Sequence, residues 1–234
     1  MNKQFQSQIA KRLGNEFSGL YSIETNQLLQ RKGFLVILKN WKFKAIRHLA
    51  TDYGNPGFFS PSRLPAPIVI SEKFLQEAGT VFPLEFSVFK SHYQLILGDD
   101  LLKDLKIEAV SLVRECDREI KQKMLSFCSS TIACGLQAKE LQNILKKLTA
   151  EILEILAAIL RASGSEDGCA VTDIVAKFAL LAELELPHFD LLVKLIVTKG
   201  KIDRKICTDA IEQIAEEFDL VGGVIAGWAK NGIP

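Results

Sequence analysis

The sequence contains few histidines and none of the common catalytic motifs. Its three histidines are His48, His92 and His188, and none lies at a short metal-ligand spacing from another. We therefore expect no acid–base or nucleophilic system built from neighbouring histidines. The chain also lacks GxxxxGK[ST], GxGxxG, HExxH and GxSxG. Their absence excludes the phosphate-binding loop, the dinucleotide fingerprint, the zincin helix and the nucleophile elbow.

The chain has no cysteine pairing pattern and no long apolar run. Stretches such as LVIL and ILEILAAIL fall far short of the roughly 20 residues that span a bilayer, so we expect no membrane segment. The first residues, MNKQFQSQIAKRLG, carry no apolar core of a secretory signal. An odd number of cysteines without a CxxC pair indicates reduced thiols in a cytoplasmic protein. These cysteines are Cys116, Cys128, Cys134, Cys169 and Cys207.

The chain carries no strong excess of charge of either sign. Its net charge is +1; residues 1–104 hold 13 Lys/Arg and 9 Asp/Glu, and residues 105–234 hold 16 and 19. With net charges of +4 and −3, neither part of the chain is basic enough to predict a nucleic-acid partner. The densest basic segment is KNWKFKAIRH (39–48). It fits a solvated helix face, and the alternative is a patch that contacts phosphate.

Residues 1–104 alternate short strand patterns with short helical ones. GFLVILKN (33–40) is a continuous apolar run, typical of a strand covered on both faces, and APIVIS (66–71) is a second strand. FKAIRHLATDYG has helical spacing between them. Ser71 followed by EKFLQEA predicts an N-cap and a helix. LEFSVFK (84–90) alternates like a strand, and YQLIL fits either a strand or a helix start.

Residues 105–234 have an almost wholly helical pattern. Apolar residues recur at steps of three and four, as in Val113, Ile120 and Phe127, and glycine or proline separates the helical segments. About five helices, each with one apolar stripe, must bury those stripes against each other. The sequence therefore predicts an α+β (α/β) fold, with a small helix-covered sheet in residues 1–104 and an all-α helical bundle in residues 105–234.

One acidic residue interrupts an apolar stripe of the helical half. Asp117 lies between Val113 and Ile120, where an unpaired buried carboxylate would be costly. Arg114 and Lys121 lie within helical reach and could neutralise it in an ordinary surface network. The alternative is that nearby cations on this helix contact a phosphate; they are Arg118, Lys121 and Lys123.

The segment TVFPLEFSVFKSHYQLILGDDLL and the helix that follows carry a family resemblance. Residues 82–86 read FPLEF, residues 98–100 read GDD, and the helix contains DREIKQK. In this order they resemble a bacterial group of the nucleotidyltransferase superfamily, related to the kanamycin-type and minimal nucleotidyltransferases. The resemblance covers roughly residues 20 to 130. It implies a small nucleotidyltransferase-like mixed sheet with helices, followed by a helical domain.

The resemblance lacks the catalytic signature of that superfamily. Active members carry Gly-Ser at the end of one strand and Asp-x-Asp or Asp-x-Glu at the start of the next, where two acids hold Mg²⁺ on a triphosphate. The strand GLYSIETNQ has no Gly-Ser turn. Arg31, Lys32 and Gly33 stand where the acids belong. We therefore expect no metal cofactor and a non-catalytic protein that binds a partner or a nucleotide.

Two further interpretations concern the remaining acids and cations. The alternative function is an active Mg²⁺-dependent transferase, using ATP or GTP, with an unconventional acid set of Glu24, Glu72 and Glu85. In the non-catalytic interpretation Glu85 is a relic of a third acid or a structural residue at a sheet edge. A nucleotide would then contact cations of both halves, which are Arg31, Lys32, Arg118, Lys121 and Lys123.

Local roles are also predicted for residues 99, 100 and 228. Asp99 and Asp100 are predicted to cap a helix formed by LLKDLK, where they would satisfy free N–H groups. The apolar, glycine-containing C-terminal segment makes a protein partner or a homodimer possible. Trp228 would either anchor such an interface or close the bundle of its own chain.

Overall fold

The structure is a computed structural model that describes residues 9–26, 31–53, 65–135, 137–164, 170–198 and 211–233. These residues form two compact units, and the chain passes from the first to the second between Ile107 and Glu108. No helix in these ranges is both long enough and apolar enough to cross a bilayer. The architecture is a small mixed sheet with helices, followed by a helical region, so the predicted α+β fold is confirmed.

The first unit contains a four-stranded sheet with the order β3-β2-β1-β4. The strands are β1 (Phe17–Asn26), β2 (Arg31–Leu38), β3 (Ile68–Ser71) and β4 (Tyr93–Gly98). β2 and β3 are parallel, with Leu35 opposite Ile68, and β1 and β4 are antiparallel. The Lys39 amide donates to the Glu16 carbonyl (2.8 Å), so the end of β2 adjoins the beginning of β1.

Both faces of the sheet are covered, as the continuous apolar run of β2 predicts. Leu35 and Ile37 face one cluster, which includes residues of α2 (Glu72–Val81) and α3 (Pro83–Ser91). Val36 and Leu38 face the other, which includes residues of the helical segment 9–13 and of α1 (Phe43–Tyr53). The four β2 residues are fully buried, since alternate side chains of a strand point to opposite faces.

Helix α2 begins where the sequence predicts. The Ser71 hydroxyl accepts a hydrogen bond from the Phe74 amide (3.1 Å), which satisfies one of the free donors of the first turn. Near its end, Gly79 lies against the carbonyl of Lys106, and a Cβ built on it would be 2.0 Å from that oxygen. The absence of a side chain at this position therefore permits a close backbone approach.

The predicted strand over residues 84–90 is wrong, because this segment is helix α3. Pro83 occupies the first helical turn, where its missing N–H costs nothing. Nearly every following residue is buried, including Leu84, Phe86 and Phe89. A short helix buried on most sides has no polar stripe, so its apolar spacing is readily mistaken for alternation. YQLIL is a strand, β4.

The predicted helix LLKDLK is also wrong, because residues 101–104 form a turn. Asp99 and Asp100 therefore cap no helix. The Tyr21 hydroxyl donates to the Asp99 carbonyl (2.5 Å) and accepts from the Leu101 amide (2.8 Å). The hydroxyl of a buried tyrosine thus satisfies backbone hydrogen-bonding groups at the position where a helix start was predicted.

The second unit is built from five described helices. They are α4 (Ala109–Cys134), α5 (Ala138–Ala162), α6 (Ile174–Ala182), α7 (Pro187–Val197) and α8 (Ile211–Asn231). α5 packs on α4, α6 and α7, and α8 packs on α4 and α7. α5 is buried almost continuously from Leu148 to Leu160, as expected of a central helix. Trp228 of α8 packs on Phe178 of α6, with ring centroids 5.8 Å apart.

A carboxylate of α8 caps the beginning of α7. Glu217 accepts hydrogen bonds from the amides of His188 (2.9 Å) and Phe189 (2.8 Å). Nδ1 of His188 lies 2.8 Å from the same carboxylate. Since the first turn of a helix leaves amide donors free and favours negative charge, the buried Glu217 is stabilised there.

Candidate anion-binding site

A pocket of about 310 Å³ lies on the side of the first unit that α1 covers. Leu13 and Ala45 line it and also belong to the apolar cluster beneath the sheet. The helical segment 9–13, the 3-10 turn Gly14–Glu16 and α1 supply the lining. The floor of this pocket is therefore apolar, and its polar groups come from residues 12–16 and 42–48.

The pocket is electropositive. Arg12, Lys42 and Lys44 line it with His48 and a single carboxylate, that of Glu16. Three cations and one anion give a formal charge of +2 with His48 neutral. Lys44 and His48 are four residues apart and so lie on one face of α1. Among the described residues, neither side chain has an ion-pair or hydrogen-bond partner, so both are free to meet a ligand.

Glu16 orients part of this pocket. Its Oε1 accepts a hydrogen bond from the Lys42 ammonium group (2.5 Å), which fixes that cation at the pocket rim. Its other oxygen, Oε2, is buried and has no hydrogen-bond partner in the described structure. This oxygen has almost no accessible surface, so a ligand in the pocket does not reach it. The pocket can thus hold a negative group against its cations.

The acids of the predicted unconventional set have separate surroundings. Glu72, in the first turn of α2, accepts a hydrogen bond from Ser18 Oγ (2.5 Å) at the beginning of β1. Glu85 is exposed in the first turn of α3, so its predicted place on a strand or a sheet edge is wrong. The side chain of Glu24 lies outside the described residues. Within the described ranges, no group of three His, Cys, Asp or Glu residues is arranged to hold a metal ion.

The cations predicted on α4 are held by carboxylates of the second unit. Arg118 pairs with Glu115 and with Glu119 (3.1 Å). Lys121 pairs with Asp117 (2.7 Å), as its spacing suggests. Lys123 lies between two carboxylates, 3.4 Å from one and 3.7 Å from the other; these belong to Glu119 and Glu151. These contacts match the interpretation of this segment as a surface ion-pair network.

The two predicted cations of β2 do not line the pocket. Lys32 is exposed near the beginning of β2, whereas the pocket adjoins the residues that follow the end of that strand. The side chain of Arg31 lies outside the described residues. The structure therefore does not bring Lys32 together with Lys42, Lys44 and His48.

Sequence reasoning found half of this pocket. Lys42, Lys44 and His48 belong to the basic segment that was a candidate phosphate patch. Arg12 and Glu16 were missed, because they lie about 30 residues earlier and no local pattern links them to α1. The available signal is the amphipathic spacing of Ile9 and Leu13, which predicts that this segment packs on the sheet.

No family model matches this chain, and no curated protein is similar enough to it to count as a relative.

Proposed function

We propose that this chain is a non-catalytic, nucleotidyltransferase-like protein that binds a nucleotide without a metal ion. The carrying observation is the pocket itself, in which a charge of +2 surrounds an apolar floor. A nucleotide matches each part: its phosphates meet the cations, and its sugar or base packs on the apolar floor.

Metal-independent binding follows from the type of charge in the pocket. Arg12, Lys42 and Lys44 offset phosphate charge directly, a role that Mg²⁺ has in enzymes whose acids hold it. The single carboxylate, Glu16, is already paired with Lys42. The proposed ligand is therefore held by protein cations, and Lys44 and His48 are the residues free to contact it.

We also place this activity in the cytoplasm. The described cysteines Cys116, Cys128 and Cys134 form no disulfide, which suits a reducing compartment.

The test is calorimetric titration of the full chain with ATP and with GTP, in EDTA and in Mg²⁺. We expect one site whose affinity is similar in both conditions. Lys44→Ala should weaken binding about fivefold, as losing one exposed charged contact of about 1 kcal/mol would. Lys121→Ala, which removes an exposed lysine of the second unit, is the control and should leave the affinity unchanged.

Three results would contradict this proposal. They are the absence of binding by the unmodified chain, binding that requires Mg²⁺, and turnover of the nucleotide. Either of the last two would instead support the alternative transferase. A Lys44→Ala variant with full affinity would show that the ligand binds elsewhere.

A further inference from the structure

Two aromatic rings stand exposed beside the cationic pocket. Trp41 is 59% exposed and Phe43 is 67% exposed, and Lys42, which lines the pocket, lies between them in the chain. Neither ring belongs to the clusters that cover the sheet. Both rings therefore offer free surface to a ligand that extends beyond the pocket.

Cations alternate with these rings along the chain. Lys39, Trp41, Lys42, Phe43 and Lys44 form this series, and the Arg47 guanidinium follows, 5.9 Å from the centroid of the Phe43 ring. Lys39 and Lys44 have no side-chain partner among the described residues. The hydrogen bond from the Lys39 amide to the Glu16 carbonyl keeps the start of this series next to the pocket.

We propose that this surface binds single-stranded nucleic acid. Bases stack on Trp41 and Phe43, and the backbone phosphates meet Lys39, Lys42 and Lys44. The inference rests on the proposed function, because the pocket takes one nucleotide of the same strand. Stacking platforms interleaved with cations are the general means of holding single strands without reading their sequence.

The small net charge of the whole chain does not oppose this assignment. At physiological ionic strength the Debye length is about 8 Å, so a phosphate responds to the nearest charges only. The segment 39–47 contains four cations and no carboxylate. The acids of the second half contribute to the net charge of +1, and that total is a poor guide to this local field.

The exposed rings distinguish a single strand from other anionic partners. In a duplex the base faces are already stacked on each other, so Trp41 and Phe43 would find no partner there. An acidic peptide would pair with the lysines but would gain little from two flat rings. Of these three polymers, only a single strand presents base faces and phosphates together.

The test measures the affinity of a fluorescent oligothymidylate of about ten nucleotides, a length within known single-strand site sizes. The same variants are titrated with inorganic triphosphate, which has no base, as the reference for the pocket. Trp41→Ala should reduce the ratio of oligonucleotide to triphosphate affinity about tenfold, since one stacked base contributes about 1–3 kcal/mol. Trp41→Phe retains a ring and should restore most of that ratio.

Salt provides a second measurement. Three phosphate contacts predict that log K falls with log salt with a slope of about −2, and Lys39→Ala should reduce the slope by about 0.7. Equal affinity for oligonucleotide in the unmodified chain and Trp41→Ala would overturn the inference and leave the nucleotide pocket standing. Tighter binding of duplex, or equal binding of poly-glutamate, would also overturn it. If neither ATP nor the oligonucleotide binds, both proposals fail.

Discussion

At the scale of single residues, Tyr21 shows how one hydroxyl organises a turn. Its ring is fully buried against the sheet, and its oxygen bridges the Asp99 carbonyl and the Leu101 amide. Tyr93 lies beside it, with ring centroids 5.9 Å apart, and donates to the Asp100 carboxylate (3.1 Å). Two tyrosines therefore serve the same turn, but only Tyr21 satisfies its backbone.

Tyr21→Phe is expected to lower the free energy of unfolding by about 1–3 kcal/mol, because it leaves two backbone groups without a partner. Chemical denaturation followed by circular dichroism measures this change. Tyr93→Phe is the matched control and should cost less, since the Asp100 carboxylate is half-buried and can be hydrated. Equal losses in the two variants would contradict the role given to Tyr21.

The same substitution should change the response to alkaline pH. Burial raises the pKa of the Tyr21 phenol above its ordinary value of 10, with the nearby Asp100 charge adding to the effect. The folded chain thus retains a proton that the unfolded chain loses, so this stabilisation is complete below pH about 10 and falls as pH rises above it. Unfolding curves of Tyr21→Phe should show a shallower alkaline loss than those of the unmodified chain.

At the scale of elements, the spacing of apolar residues predicted the strands β2 and β3 correctly. The same signal wrongly predicted a strand where helix α3 lies. The prediction succeeds for β2 because a continuous apolar run such as FLVIL (34–38) has no polar helical face. α3 fails because Pro83 and the burial of residues on most of its sides leave nine residues without a polar stripe. The signal that identifies this helix is the proline at its first position. An analysis of apolar spacing alone does not use that signal.

Replacing either of two helical glycines with alanine should change stability, in opposite directions at the two positions. In Gly79→Ala the new Cβ would meet the Lys106 carbonyl at 2.0 Å, a backbone atom that cannot move alone. We expect a loss of about 2 kcal/mol or more, as for other overpacked cores. Gly222, inside α8, has open space where its Cβ would be, and Gly222→Ala should raise stability by about 1 kcal/mol.

Thermal and chemical unfolding of the two variants test this pair directly. The host element is helical in both, so helix propensity favours alanine in each and only the contact with Lys106 differs. A stable Gly79→Ala protein would mean that α2 does not approach Lys106 so closely.

At the scale of the whole molecule, apolar burial rather than ion pairing carries stability. The two sheet clusters and the central helix α5 hold most of the largest buried side chains. The ion pairs of α4, by contrast, have cations such as Arg118 and Lys121 that are about 60% exposed. Exposed pairs of this kind contribute little in water.

Stability should therefore depend weakly on salt. Raising ionic strength to about 1 M, where the Debye length is about 3 Å, should change the free energy of unfolding by less than about 1 kcal/mol. Lys121→Ala should likewise cost no more than about 0.5 kcal/mol. Denaturation at low and high sodium chloride measures both. A loss of several kcal/mol in salt would show that charge, not apolar burial, holds the units together internally.

The pocket shows why a site is harder to predict than a fold. Lys42, Lys44 and His48 follow from one basic segment, because neighbours on a helix are neighbours in sequence. Arg12 and Glu16 join them only because Leu13 packs on the sheet, and that contact depends on the tertiary fold. Long-range contacts of this kind also explain the turn after β4, where Tyr21, not an aspartate, satisfies the backbone.

The Glu217 cap fixes the position of α8 relative to the beginning of α7. Inserting or removing one residue in α8 before Glu217 would turn that side chain by about 100° around the helix axis. The carboxylate would then lose its hydrogen bonds to the amides of His188 and Phe189 at the same time. These two helices can consequently tolerate changes of side chain along their contact far better than a change of length.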